Sequence, residues 1–250
     1  MKYISNLRRF ALAFGCALII SSILHAETAD GLRKRLATAS SSIKDLSGTM
    51  VVKPANKKDA AEISKGILEF LDYGFREASI AYKQPDKFRA QGKTKGIDVA
   101  YVLNGNKQQY TAPSIMLKKT EDMSRKIAKK QSTLDLGFAS DSLWHNNRVK
   151  LISERKGVIE LQLVPNGTKD KRKELIWVDS KSLKVVKRER YSGSGKMKSR
   201  QIYKNHKIMD KMPVAMEVDI YSADGGFAGS ILYKNIKVNT KLSDSLFAIK

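Results

Sequence analysis

The chain has 250 residues, with 47 lysines and arginines against 25 aspartates and glutamates, a formal net charge of +22. That length suits one domain with a sizeable core, and the charge suggests anionic partners such as lipid headgroups, phosphorylated glycolipids or acidic proteins, with a solvated basic surface as the equal alternative. Cys16 is the only cysteine and lies in an apparent export signal, so the exported chain is expected to contain no disulfide, thiolate metal site or cysteine nucleophile.

The signal reads as follows. Lys2, Arg8 and Arg9 precede an apolar run over residues 10–24, and Leu24-His25-Ala26 forms a cleavage site. Residues 1–26 are thus predicted as a Sec-type signal peptide and 27–250 as a periplasmic domain. The run of about 15 apolar residues is shorter than the ~20 of a spanning helix; an uncleaved anchor is the alternative. Cys16 bisects the run instead of closing it, unlike a lipobox cysteine. Loss of the three signal cations lowers the charge from +22 to +19. Export and the lack of a reading motif disfavour nucleic acid as a partner.

Residues 28–42 place Leu32, Leu36, Ala39 and Ile43 at helical spacing behind Asp30, a possible cap. Residues 46–52 alternate as a strand, 57–70 return to a helical pattern weakened by Gly66, and 75–82 form a strand. Residues 82–113 read as three short strands, the first two broken at Gln84-Pro85-Asp86 and the last two at Asn104-Gly105-Asn106. Residues 118–130, with Met116, Leu117, Met123 and Ile127 on a partial stripe, suggest a short surface helix or lid. Residues 134–144 read as a loop feeding a helix capped by Ser140.

From residue 149 the pattern is β. Strands over 149–155 and 158–164 pair across Lys156-Gly157, and those over 174–178 and 183–191 pair across 179–182. A turn at 192–195 leads to 198–206. A strand over 213–221 follows, and Asp224-Gly225-Gly226 turns into 227–238. About ten strands and two or three helices predict a mainly β (α+β) domain, an antiparallel meander curved around its helices.

No catalytic constellation emerges. His145 and His206 lie on separate elements without ligand spacing, and Ser192-Gly-Ser-Gly195 joins two strands with no helix behind it. Glu217 and Asp219 share a strand face with no implied partner carboxylate. The expectation is no enzyme, no metal and no cofactor. A curved sheet can instead line an apolar cavity. Candidate inward residues are Phe75, Ile80, Phe88, Val102, Met116, Phe138, Leu143, Trp144, Leu161, Leu163, Trp177, Ile202, Val218, Ile220 and Leu232; plain core is the alternative for each. Met116, Met123, Met209, Met212 and Met216 would adapt to variable chains.

Lys83, Pro85, Phe88, Val99, Val102, Gly105, Tyr110 and Pro113, in that order, resemble a segment of the bacterial outer-membrane lipoprotein carrier (LolA-like) family. Residues 31–43 resemble that family's first helix, residues 177–179 and 184–196 its tryptophan strand and following hairpin, and residues 235–249 the tail of related sorting proteins. The resemblance implies an unclosed antiparallel β-barrel with a helical lid over an apolar cavity, which accepts lipoprotein acyl chains, phospholipid or glycolipid. It also implies an inner-membrane transporter and an outer-membrane acceptor as partners of a monomeric carrier. Leu32, Leu36, Gln84, Pro85 and Arg89 are its lid and motif candidates.

Gln84 departs from the pattern, because the family has a lid-latching arginine before the proline. Extra residues around 53–70 and 118–131 also mark a divergent member. Two alternatives remain. One is a lipid-sensing module like the periplasmic regulator of an anti-sigma factor, although that regulator has a further C-terminal domain and this chain ends soon after Phe247. The other is an envelope-lipid hydrolase.

Overall fold

The computed structural model describes residues 28–125, 130, 136–139, 141–166 and 171–249. The predicted signal peptide with Cys16, Ile127 on the predicted 118–130 helix, and the predicted Ser140 cap lie outside them. Helix α1 (Ala29–Ser40) starts at Thr28, whose hydroxyl accepts the Gly31 N–H at 3.0 Å. Thr28 is therefore the cap, and Asp30 sits in the first turn, where its charge suits the helix dipole. Leu32 and Leu36, one turn apart, are fully buried.

Strand β1 (Asp45–Pro54) leads to α2 (Lys57–Ile63) and α3 (Lys65–Leu68), which runs into a π-helical turn at Glu69–Tyr73. The predicted 57–70 helix breaks at Ser64, not at Gly66. The Ser64 backbone is extended, and its hydroxyl accepts the Ile67 N–H to start the next helix.

Four strands follow: β2 (Glu77–Lys83), β3 (Lys87–Thr94), β4 (Ile97–Asn104) and β5 (Lys107–Ala112). Both turns expected within 82–113 form. A third, at Lys95-Gly96, was unmarked by any Asn or Pro; both of its residues take positive φ, the geometry that joins twisted strands tightly.

The predicted helix or lid at 118–130 is corrected over its described part, because residues 117–122 form β6 (Leu117–Asp122), paired with β5. β6 is an edge strand, largely exposed on both faces, so its sequence carries no two-residue alternation. Its apolar stripe does not exist as one face: Met116 is in a left-handed turn, and Met123 is fully buried.

Helix α4 (Asp141–His145) precedes β7 (Asn147–Arg155), β8 (Val158–Pro165), β9 (Lys173–Asp179), β10 (Val185–Tyr191) and β11 (Met197–Lys204). The predicted 213–221 strand is two elements. β12 (Lys207–Met209) and β13 (Met212–Val214) make a separate hairpin, and β14 (Glu217–Ser222) rejoins the main sheet before β15 (Phe227–Val238).

The main sheet has thirteen strands, ordered β6-β5-β4-β3-β2-β1-β15-β14-β11-β10-β9-β8-β7. It is thus longer than the ten strands expected, and it is curved and unclosed, with β6 and β7 at its edges. It is two meanders joined where β1 pairs with β15. Among the described residues no helix is long and apolar enough to cross a membrane.

The inner face carries Leu46, Met50, Ile80, Tyr82, Phe88, Leu161, Ile176 and Ile220, packed into one cluster with Leu32, Leu36, Phe138 and Trp144. Phe138 meets Tyr82 edge-on, with ring centroids 6.0 Å apart. The outer face is crossed by the C-terminal segment. The Asp45 carboxylate accepts the Thr240 and Leu242 N–H groups, Arg89 donates to the Leu246 carbonyl and Asn104 to that of Phe247. A 3-10 turn, Asp244–Phe247, buries Phe247 completely against β3 and β4.

Candidate functional site

Strand parity sorts the predicted cavity residues. Phe75, Ile80, Phe88, Phe138, Leu143, Trp144, Leu161, Leu163, Val218 and Ile220 are buried in the main cluster. Val102 is buried too, but it pairs with outward Arg89, on the face crossed by the C-terminal turn, and it stands outside that cluster. Trp177 and Ile202 both pair with Lys187, and this row lies on the outer face, since their neighbours Ile176, Val178, Gln201 and Tyr203 take the inward positions. The Lys187 ammonium sits 3.4 Å from the Trp177 ring centroid, a cation–π contact that occupies the indole face.

Leu232 pairs with Glu217 on the outer face as well. Met116 is the largest departure. It is 94% exposed, in a turn beyond the end of β5.

Beside α1, on a side of the helix other than that of buried Leu32 and Leu36, lies a groove of about 430 Å³. One wall is a single side of α1, formed by Gly31, Lys34, Arg35, Thr38 and Ala39, with Ser42 just beyond the helix. Leu183, from the β9–β10 connection, and Lys211, from the β12–β13 turn, close the other side. The small residues leave the floor apolar, and Lys34, Arg35 and Lys211 put three cations on the rim. Such a trough suits an extended apolar chain that carries an anionic head. Sequence periodicity marked only the buried side of α1. Lys34 and Arg35 were legible as its polar side, whereas Leu183 and Lys211 reach the groove through turns that the sequence does not place.

Hydrogen bonds from two arginines of α1 and from Gln84 tie the helix to its surroundings. Arg33 donates to the Trp144 carbonyl at 3.3 Å, Arg35 to the Ser180 carbonyl at 2.8 Å, and the Gln84 carboxamide to the Ser40 carbonyl at 2.9 Å. Gln84 therefore holds the end of the helix from the position where the family resemblance places an arginine. Arg89 has another role than the lid one, because its side chain lies on the outer face and binds the C-terminal segment. Pro85 follows Gln84 across a cis peptide in the β2–β3 turn.

The inner face is not wholly apolar. Glu174 lies there between Arg188 and Arg190. Burial raises its pKa, but the two guanidiniums and the Arg188 hydrogen bond overcome that and hold it below the ordinary value. The buried indole N–H of Trp144 meets no acceptor among the described residues. His206 is half-buried near the groove, with its Nε2 2.9 Å from the Val185 carbonyl, and burial lowers its pKa. His145 is exposed on α4. Glu217 and Asp219 are engaged by Asn205 and Lys204 respectively. Asp59, Glu62 and Asp224 bring carboxylate oxygens within 4.8 Å of one another at the far end of the sheet, two of them exposed.

No protein-family model and no curated protein matches the sequence. Solved structures do match by fold. A LolA-superfamily protein from Nitrosomonas europaea superposes with a TM-score of 0.61 at 14% identity, over 89% of this chain and 98% of its own. A DUF1329 family protein from Desulfovibrio piger gives 0.57 at 13%, over 87% and 94%. An outer-membrane lipoprotein-sorting protein domain from Vibrio parahaemolyticus gives 0.53 at 16%, over 86% and 92%. The chain shares the fold of these proteins, at identities of 13–16%.

Proposed function

We propose that the chain is a periplasmic lipid or lipoprotein carrier. In this reading an acyl chain lies along the solvent side of α1, between the helix and the turns that carry Leu183 and Lys211, with its anionic head against Lys34, Arg35 and Lys211. The observation that carries it is the groove: an apolar floor under three cations, beside a helix whose other side covers a large apolar sheet. The physical need is clear, since burying a chain is worth about 0.8 kcal/mol per methylene and a 16-carbon chain left in water costs roughly 12 kcal/mol. Binding, not bond cleavage, is the activity proposed. Transfer would run towards the outer membrane, between an inner-membrane transporter and an outer-membrane acceptor, with a monomeric carrier.

Mass spectrometry of organic extracts of the purified protein tests the reading. Co-purified acyl lipid or lipoprotein, reduced at least several-fold in a Lys34→Glu/Lys211→Glu variant, is the expected result. An empty interior that takes up no hydrophobic probe overturns it.

A further inference from the structure

We propose that residues 113–117 form a membrane-docking tip that inserts into the headgroup layer of an anionic lipid bilayer. Ile115, Met116 and Leu117 are consecutive and 54%, 94% and 41% exposed, whereas the other exposed large apolar residues among the described residues stand singly in sequence. A single exposed apolar residue needs no explanation; three together at the point of a turn do. Their backbone is fixed for display. Pro113–Ile115 form a 3-10 turn, Met116 takes left-handed φ 52°, and its N–H donates to the Pro113 carbonyl at 3.0 Å. A β-carbon-bearing residue in that conformation is held against its own preference.

The surrounding charge selects the occupant. Lys118 and Lys119 follow directly and, on a strand, point to opposite faces, so they flank the tip on both sides. Lys93 and Lys95 stand exposed around the β3–β4 turn, at the same end of the sheet, where Asp98 is the acid opposite Lys93. Four ammoniums against two carboxylates, Asp98 and the exposed Glu77 beside Lys93 at the start of β2, leave net positive charge around an apolar point, which matches a layer of lipid phosphates above acyl chains: the apolar side chains bury while the lysines stay at phosphate level. The tip is at the opposite end of the sheet from the Gln84 turn and the groove, so it neither uses nor obstructs the proposed cargo site. Docking and cargo binding are separate properties.

The test is flotation of the exported protein, isolated from the cell envelope, with phosphatidylcholine vesicles containing or lacking 30% phosphatidylglycerol. The expected result is binding to the anionic vesicles that weakens in high salt. A Met116→Asp/Leu117→Asp variant should lose it at least tenfold with an unchanged denaturation midpoint. A Lys118→Glu/Lys119→Glu variant should lose the preference for anionic vesicles. Ile115→Ser/Met116→Ser serves as a second variant if the aspartates disturb folding. Equal binding by wild type and tip variants, equal binding to both vesicle types, or a tip substitution that changes only the oligomeric state would overturn the proposal. Cargo extraction is scored separately, so failure of either reading leaves the other standing.

Discussion

The Gln84 carboxamide donates to the Ser40 carbonyl at 2.9 Å, which pins the last residue of α1 to the turn before Pro85. Ser40 is fully buried and its carbonyl also accepts the Ile43 N–H at 3.2 Å, so removing the Gln84 donor costs one of two hydrogen bonds. Gln84→Ala is expected to lower stability by about 0.5–1.5 kcal/mol, as for one lost hydrogen bond to a carbonyl that keeps another donor. It is also expected to speed amide exchange in α1 and to increase uptake of a hydrophobic dye. Urea denaturation and hydrogen exchange measure the two effects; unchanged exchange in α1 would remove Gln84 from any latching role.

Asp244 bridges Lys83 at 2.8 Å and Lys87 at 2.9 Å, where the C-terminal segment crosses β2 and β3. The hydrogen bond from Lys83, then that from Lys87, lowers its pKa from 3.8 to about 2. A folded pKa below the unfolded one contributes stability that is complete above about pH 4 and disappears as pH falls through about 2. Asp244→Asn should therefore flatten the acid limb of the stability curve between those values and change little at pH 2. The carboxylate side chain is 65% exposed, so raising salt should narrow the difference between wild type and variant.

Phe247 anchors the same segment. It is fully buried on the outer face, with its carbonyl held by Asn104. Phe247→Ala should cost on the order of 3 kcal/mol in chemical denaturation if the segment unfolds with the sheet. A cost below 1 kcal/mol would show that the segment opens independently.

The hairpins were legible because their turns are written in Gly, Asn and Asp: Asn104-Gly105-Asn106, Lys156-Gly157 and Asp224-Gly225-Gly226 all fall between paired strands. The parity of several strands was not. Val102 looks like an inward residue because the segment that covers the outer face is 140 residues further along the chain, and nothing local marks that face as covered. Trp177 and Ile202 mislead for a related reason, since a lysine packed on the indole and a charged outer ladder bury part of the outer face as well. Of the site, the buried side of α1 followed from 3.6-residue spacing. The groove depends on two turns brought together by thirteen strands of register, which no local pattern contains.

Glu174 is a carboxylate placed between Arg188 and Arg190 on the inner face. Glu174→Leu would leave the buried Arg188 guanidinium without that counter-charge, and losing one member of a buried pair typically costs 3–5 kcal/mol. Because the Glu174 pKa is lowered in the fold, its contribution is present above the ordinary carboxylate range and is lost as pH falls below it. Replacing Glu174 and Arg188 together by apolar residues should recover part of the loss. Denaturation of the two single variants and the double variant measures the coupling.

Gly137 ties residues 136–139, which pack Phe138 onto the inner face, to the connection between β13 and β14. Its φ is +80°, an added Cβ would stand 2.5 Å from the Ala215 carbonyl oxygen, and its own carbonyl accepts the Ala215 N–H at 2.9 Å. Gly137→Ala therefore meets two penalties at once, a left-handed backbone and a backbone clash, and should destabilise by more than 1 kcal/mol. The clash pushes the segment away from residue 215 and takes Phe138 off the Tyr82 ring. If this segment and α1 together close the inner face, the variant should take up a hydrophobic dye at temperatures where its β-sheet circular dichroism is unchanged. Loss of sheet signal and dye uptake in a single transition would instead show that the cover and the sheet are one cooperative unit.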